Sequence, residues 1–146
     1  MQVFFLREMK KEVKRSDCPI SCSLDVFGDK WSLLILRDMM FSNKSTYGEF
    51  LKSAEGIATN ILATRLLALE ENGLIEKREH PESKAKVLYS LTPKSIDLLP
   101  LIVEMHLWAD THLEVPADIK AMIKEVKKGK DAFIKKMKRQ LKSQVQ

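Results

Sequence analysis

Three groups of residues have types and spacings that could do chemistry. Cys18 and Cys22 stand four residues apart, and Cys18 directly precedes Pro19. A thiol at a helix opening faces unpaired backbone N–H groups, which favour the thiolate and raise its reactivity. The competing reading of either cysteine is a small buried apolar side chain. The same pair with His106 and His112 formally fits zinc spacing, but six residues on a helix turn through ~240°, so the two histidines diverge. No metal and no cofactor is expected. The third group is Thr59, Asn60, Ala63, Thr64 and Arg65, followed further along by Arg78, Lys84 and Lys86. An asparagine amide can pair bidentately with an adenine edge. Arg65, nearer the core edge, suits a phosphate, as do the basic residues beyond it. Catalytic signatures are missing: there is no Gly-x-Ser-x-Gly, no His-Glu-x-x-His and no phosphate-cradling loop among the five glycines. An enzyme is not expected.

The elements that must position these residues can be read from periodicity. Residues 3–15 predict an amphipathic helix. Asp17 is a candidate N-cap for a second helix that starts with Pro19 in its first turn and ends near Gly28. Asp29 is placed to cap a third, from Lys30 to about Phe41, whose run Leu33-Leu34-Ile35-Leu36 predicts burial on most sides. Ser45 or Thr46 can cap a short helix carrying Tyr47, Phe50 and Leu51. A longer helix is expected from about Ala58 to Glu71, ended by Asn72-Gly73. In it Leu62, Leu66 and Leu69 define the buried stripe and leave Asn60, Thr64, Leu67 and Glu71 outward. Trp31 and Tyr47 lie beside apolar stripes and read as core.

Periodicity then turns extended. Leu74 to Glu79 and Lys86 to Leu91 read as strands joined by the polar connection 80–85, a hairpin. Thr92-Pro93 opens another helix, expected to run to about His112 with apolar residues around most of its circumference, more than one small domain can cover. A partner surface is implied. From Pro116 onward Ile119, Ile123, Val126, Phe133, Met137 and Leu141 recur at helical spacing. For this tail the expectation is bracing of a dimer by 116–128, and solvation or phosphate attraction by 130–146.

Composition narrows the class. The chain has 146 residues, 45% hydrophobic and 31% charged, as expected of one compact core. No run approaches the ~20 apolar residues that a membrane helix needs, and two cysteines are too few for a disulfide framework, so a cytoplasmic protein is expected. The net charge of +5 resides in the tail: residues 116–146 hold ten Lys/Arg against three Asp/Glu, and residues 1–115 hold fifteen against seventeen. Segment 56–88 holds five of each sign, so bulk charge is no argument for nucleic acid.

Order carries the argument instead. A helix pair joined by a Gly-containing turn, followed at once by a two-stranded ribbon, is the winged form of the helix-turn-helix, in which the second helix of the pair enters the major groove and the ribbon lies on flanking backbone. The fold class expected is mainly α with a small β-hairpin wing.

Cys18-Pro19, Gly28-Asp29-Lys30-Trp31, Tyr47-Gly48-Glu49-Phe50, Gly56-Ile57, Asn72-Gly73-Leu74-Ile75 and Tyr89-Ser90-Leu91-Thr92 follow one another in an order and spacing that resembles the HxlR-type winged-helix regulators, relatives of the MarR group. Asp29, Ala58, Leu88 and Pro93 stand where that family usually carries Gly, Ser, Glu and Glu. The resemblance covers roughly residues 18–112 and implies a homodimer with N- and C-terminal dimerisation helices. It also implies a double-stranded, pseudo-palindromic DNA operator as partner and a thiol sensor at the position of Cys18. Residues 1–115 are expected to form the DNA-binding and dimerisation domain, and 116–146 a basic helical extension. The alternative is an adaptor that uses the same fold to bind protein.

Overall fold

The computed structural model describes residues 16–145. The helix expected over 3–15 lies outside the described residues. The first described helix, α1 (Pro19–Phe27), starts one residue later than Asp17 would place it: Cys18 is the N-cap, extended at φ −63° and ψ 124°, and supplies no side-chain cap. The proline ring is the reason, because it drives the residue before it out of the helical region and so fixes the boundary at Cys18.

Helix α2 (Lys30–Phe41) is capped as its sequence predicts, with the Asp29 carboxylate accepting from the N–H groups of Trp31 and Ser32. Its run 33–36 is less uniformly covered than expected: Ile35 and Leu36 are buried, and Leu33 and Leu34 are half-buried. The short α3 (Tyr47–Leu51) begins with a reciprocal cap between Thr46 and Glu49. After the turn at Gly56, whose φ of 68° suits a residue without Cβ, comes α4 (Thr59–Glu71). Its end is a Schellman motif: Gly73, at φ 73°, donates to the Glu70 carbonyl and Leu74 donates to that of Leu69. That turn delivers Leu74 and Ile75 into the core and starts the hairpin.

The hairpin consists of β1 (Ile75–His80) and β2 (Ser83–Leu91), antiparallel, with Ile75 opposite Leu91 and Arg78 opposite Leu88. The first strand has the expected length, one residue further on, and the second starts at Ser83, three residues earlier than periodicity predicts. Only Pro81-Glu82 separates them, and a register shift after the Glu79–Val87 pair lets Lys84, Ala85 and Lys86 bulge within β2. A ribbon tip exposed on both faces carries no apolar alternation, which is why these residues read as loop. One further bond ties the hairpin down: the Tyr89 N–H donates to the Ser45 carbonyl at 2.7 Å.

The expected long helix is broken. Thr92 and Ser95 cap α5 (Pro93–Ile96), the chain turns through Asp97 and Leu98, and α6 (Leu99–His112) restarts. Pro100 explains the break, because it has no N–H to donate to the Ile96 carbonyl. Two helices close the chain, α7 (Ala117–Lys128) and α8 (Lys130–Val145). The last helix is not merely solvated, since Leu141 is 3% exposed and shares one core cluster with Met39, Leu62, Leu91 and Val126. Lys130–Glu104 and Lys127–Asp110 bridges, each 2.7 Å, fasten the closing helices to α6.

Candidate nucleic-acid interface

Helix α4 presents two chemically different sides. Leu62, Leu66 and Leu69 are buried, with Leu62 fully so. Thr59, Asn60, Ala63 and Thr64 are exposed. The Thr64 hydroxyl donates to the Asn60 main-chain carbonyl at 2.8 Å and so leaves the Asn60 side-chain amide unengaged by that bond. One stripe of small polar groups and methyls therefore stands outward on a helix whose opposite stripe is immobilised by the core.

The start of α4 is held by α3. The Tyr47 hydroxyl donates to the Thr59 carbonyl at 3.1 Å, while the Tyr47 body is half-buried against the core. The position of α3 depends in turn on Glu49. Slight desolvation pushes its carboxyl up, but hydrogen bonds from the Thr46 hydroxyl and from Ser45 and Thr46 outweigh it and hold the group below the ordinary glutamate value. A second polar cluster braces the other end of α2. Buried Asp38 is 2.8 Å from Arg37, which also reaches Glu55 at 2.9 Å. Burial opposes the Arg37 charge, but its bonds to Glu55 and Asp38 win and stabilise the guanidinium. The Thr46 cap was visible in the sequence, but the Tyr47–Thr59 bond and the Arg37–Glu55 bridge join residues 12 and 18 positions apart, and spacing gave no sign of either.

The remaining site residues are not all brought to one place. Arg65 lies at the edge of α4 with its Nε 3.1 Å from the Asp29 carboxylate that caps α2, and the side chain stays 36% exposed. Lys84 and Lys86 are exposed in the bulge near the hairpin tip. Arg78 is also exposed, but it lines a cleft beneath the hairpin together with Leu88 and Leu141. None of Arg78, Lys84 and Lys86 pairs with an acidic side chain among the described residues.

Cys18 is exposed at the N-cap of α1, whereas Cys22 is half-buried and its thiol donates to the Ser16 carbonyl at 3.1 Å. Trp31 packs against the core, with the Lys30 ammonium 4.4 Å from its ring centre. Along α6 the stripe Leu101, Met105 and Trp108 is exposed, Trp108 by 60%. No described helix is long and apolar enough to cross a membrane.

Comparison with known proteins gives consistent matches. The family model described as HxlR-like helix-turn-helix matches residues 26–117. An uncharacterised HTH-type transcriptional regulator of Synechocystis sp. is 35% identical over 97 residues, 66% of this chain and 71% of that protein. The crystal structure of PA1607 superposes with a TM-score of 0.63 at 41% identity and covers 71% of each chain. The reduced form of the transcriptional regulator YodB from B. subtilis superposes with a TM-score of 0.55 at 30% identity, over 68% of this chain and 97% of that one, and YodB also has a quinone-bound structure.

Proposed function

The chain belongs to the HxlR-like helix-turn-helix family of transcriptional regulators, which are not enzymes, and from that premise we propose that it is a cytoplasmic homodimer that reads double-stranded DNA. The observation that carries the reading is the outward stripe of α4, exposed at Thr59, Asn60, Ala63 and Thr64 and rigidly backed by buried leucines. A groove ~12 Å wide admits such a helix with its side chains. Asn60 is then the base-reading group, Ala63 and the Thr64 methyl suit a thymine methyl, and Arg65 positions the helix against a phosphate from its anchor on Asp29. Lys84 and Lys86 place the wing on the flanking backbone, with Arg78 further in.

The dimer reading comes from α6. Leu101, Met105 and Trp108, at i, i+4 and i+7, make an apolar stripe that a second copy would cover by a two-fold axis. Two reading helices related by that axis would stand about one DNA turn, ~34 Å, apart and select a pseudo-palindrome. Cys18, exposed where α1 begins, is the thiol that an oxidant or electrophile would modify, in keeping with the quinone-bound form of the relative YodB.

The test is a pair of variants assayed on the DNA upstream of the protein's own gene and on random DNA at two salt concentrations. Asn60→Ala is expected to cost about 1–3 kcal/mol on the preferred site and to relax discrimination at one base position. Lys84→Ala is expected to weaken binding to every sequence and to reduce the salt slope by about one charge. Parent-like binding by both variants would remove this face from DNA and leave a protein-binding adaptor as the reading.

A further inference from the structure

A cleft of about 410 Å3 opens where the hairpin, the end of α2 and the last turns of α8 meet. Its volume falls in the ~300–1,000 Å3 range of small-molecule sites. Leu88 of β2 and Leu141 and Val145 of α8 give it an apolar wall. Its polar groups are mostly cationic or neutral: Arg78, Lys44 and Ser90 line it, and among the described residues no acidic one does. The Lys44 ammonium already lies 3.6 Å from Asp38, so that charge is partly matched. The Arg78 guanidinium has no such partner among the described residues, and the buried Ser90 hydroxyl has no hydrogen-bond partner. One unmatched cation above an apolar wall defines the chemistry of what fits.

We propose that this cleft binds a small organic monoanion with an apolar body, a carboxylate on an alkyl or aryl group, as an effector. The carboxylate pairs with Arg78 and the body lies along Leu88, Leu141 and Val145. The α8 wall, from Leu141 to Val145, lies beyond the family-matched residues 26–117, while the rest of the lining lies within them. Its regulatory consequence rests on the DNA-binding reading above, although ligand binding itself does not. An anion held by Arg78 withdraws one cation of the wing from phosphate and clamps the hairpin against α8, so occupancy weakens DNA binding.

Octanoate is the probe, with octan-1-ol as the same body without the charge, and calorimetry on the full chain measures both. Octanoate is expected to bind about tenfold or more tightly than octanol, the difference that one charge-assisted contact makes. Arg78→Gln should remove that difference, and Val145→Trp, which fills the cleft mouth, should abolish binding of both. The Val145→Trp protein should bind DNA like the parent while losing the response to octanoate. Thermal melts of each variant verify the fold. Absent binding, equal binding of octanol, or octanoate binding unchanged in both variants would overturn the site even if DNA binding were intact. Octanoate bound as expected with DNA affinity unmoved would overturn its regulatory role. A protein that bound octanoate but no DNA would instead sink the reading on which that role depends.

Discussion

Cys18 and Cys22 lie one turn apart on the same helix and have different surroundings. Cys22 is half-buried and its hydrogen is held by the Ser16 carbonyl, while Cys18 stands in solvent at the helix opening. Attack by a thiolate needs an approach path as well as deprotonation. Iodoacetamide should therefore label the Cys22→Ser protein, which retains Cys18, faster than the Cys18→Ser protein, and equal slow rates would remove Cys18 as a sensing thiol. The contrast between the two thiols was half legible: the Cys-Pro step at a helix opening marked Cys18 as the more reactive member, but its exposure and the hydrogen bond of Cys22 to Ser16 were not readable from spacing. Arg65 shows the same limit. The helical stripe placed it at the edge of α4, yet its ion pair with Asp29 joins residues 36 positions apart, and spacing along a helix says nothing about such a contact.

At the scale of elements, caps that use a side-chain oxygen were legible and breaks that depend on a missing N–H were not. Asp29, Thr46 and Thr92 all cap the helices their positions predict. The gap between α5 and α6 went unread because its apolar periodicity continues through Pro100, although the proline itself was the signal. The Thr46–Glu49 cap also has a titration consequence. Glu49 is held below its ordinary value of 4.5, so the stability it contributes is complete above that pH and is lost as pH falls through the depressed value. The parent should lose stability over that acid window, and Glu49→Gln should lose less there while being less stable at neutral pH. Thr46→Ala, which removes the other half of the cap, is expected to cost about 1 kcal/mol by urea denaturation.

For the whole molecule, the division of apolar surface is the main determinant. The fold buries one stripe of α6 against its own core and the closing helices, at Ile102 and Val103, and leaves Leu101, Met105 and Trp108 outside. The all-round apolar character of this segment was plain in the sequence. Which part the chain covers itself was not, because that depends on α7 and α8 folding back, through Val126 and Leu141, onto a core whose other members all precede residue 104. Trp108→Glu puts an unpaired charge at the centre of the proposed dimer contact and should weaken dimerisation by about 30-fold or more, the scale of an interface hot spot. Sedimentation equilibrium measures it. Since Trp108 is exposed in the single chain, the dissociated variant should still fold, with a melting temperature that no longer rises with protein concentration, and an unshifted dimer would move the interface elsewhere.

The bond from the Tyr89 amide to the Ser45 carbonyl bears on time as well as geometry. It is the hairpin's hydrogen bond to the loop before α3, on the far side of β2 from the ladder. Its deuterium uptake therefore reports whether the hairpin leaves the body, while uptake by the β1–β2 ladder reports whether the hairpin itself opens. A wing that detaches as a stiff flap would exchange Tyr89 early and keep its ladder protected. A wing that frays from Pro81-Glu82 would lose the tip amides first and Tyr89 last. One amide thus separates two kinds of motion for which a gel shift would give the same answer.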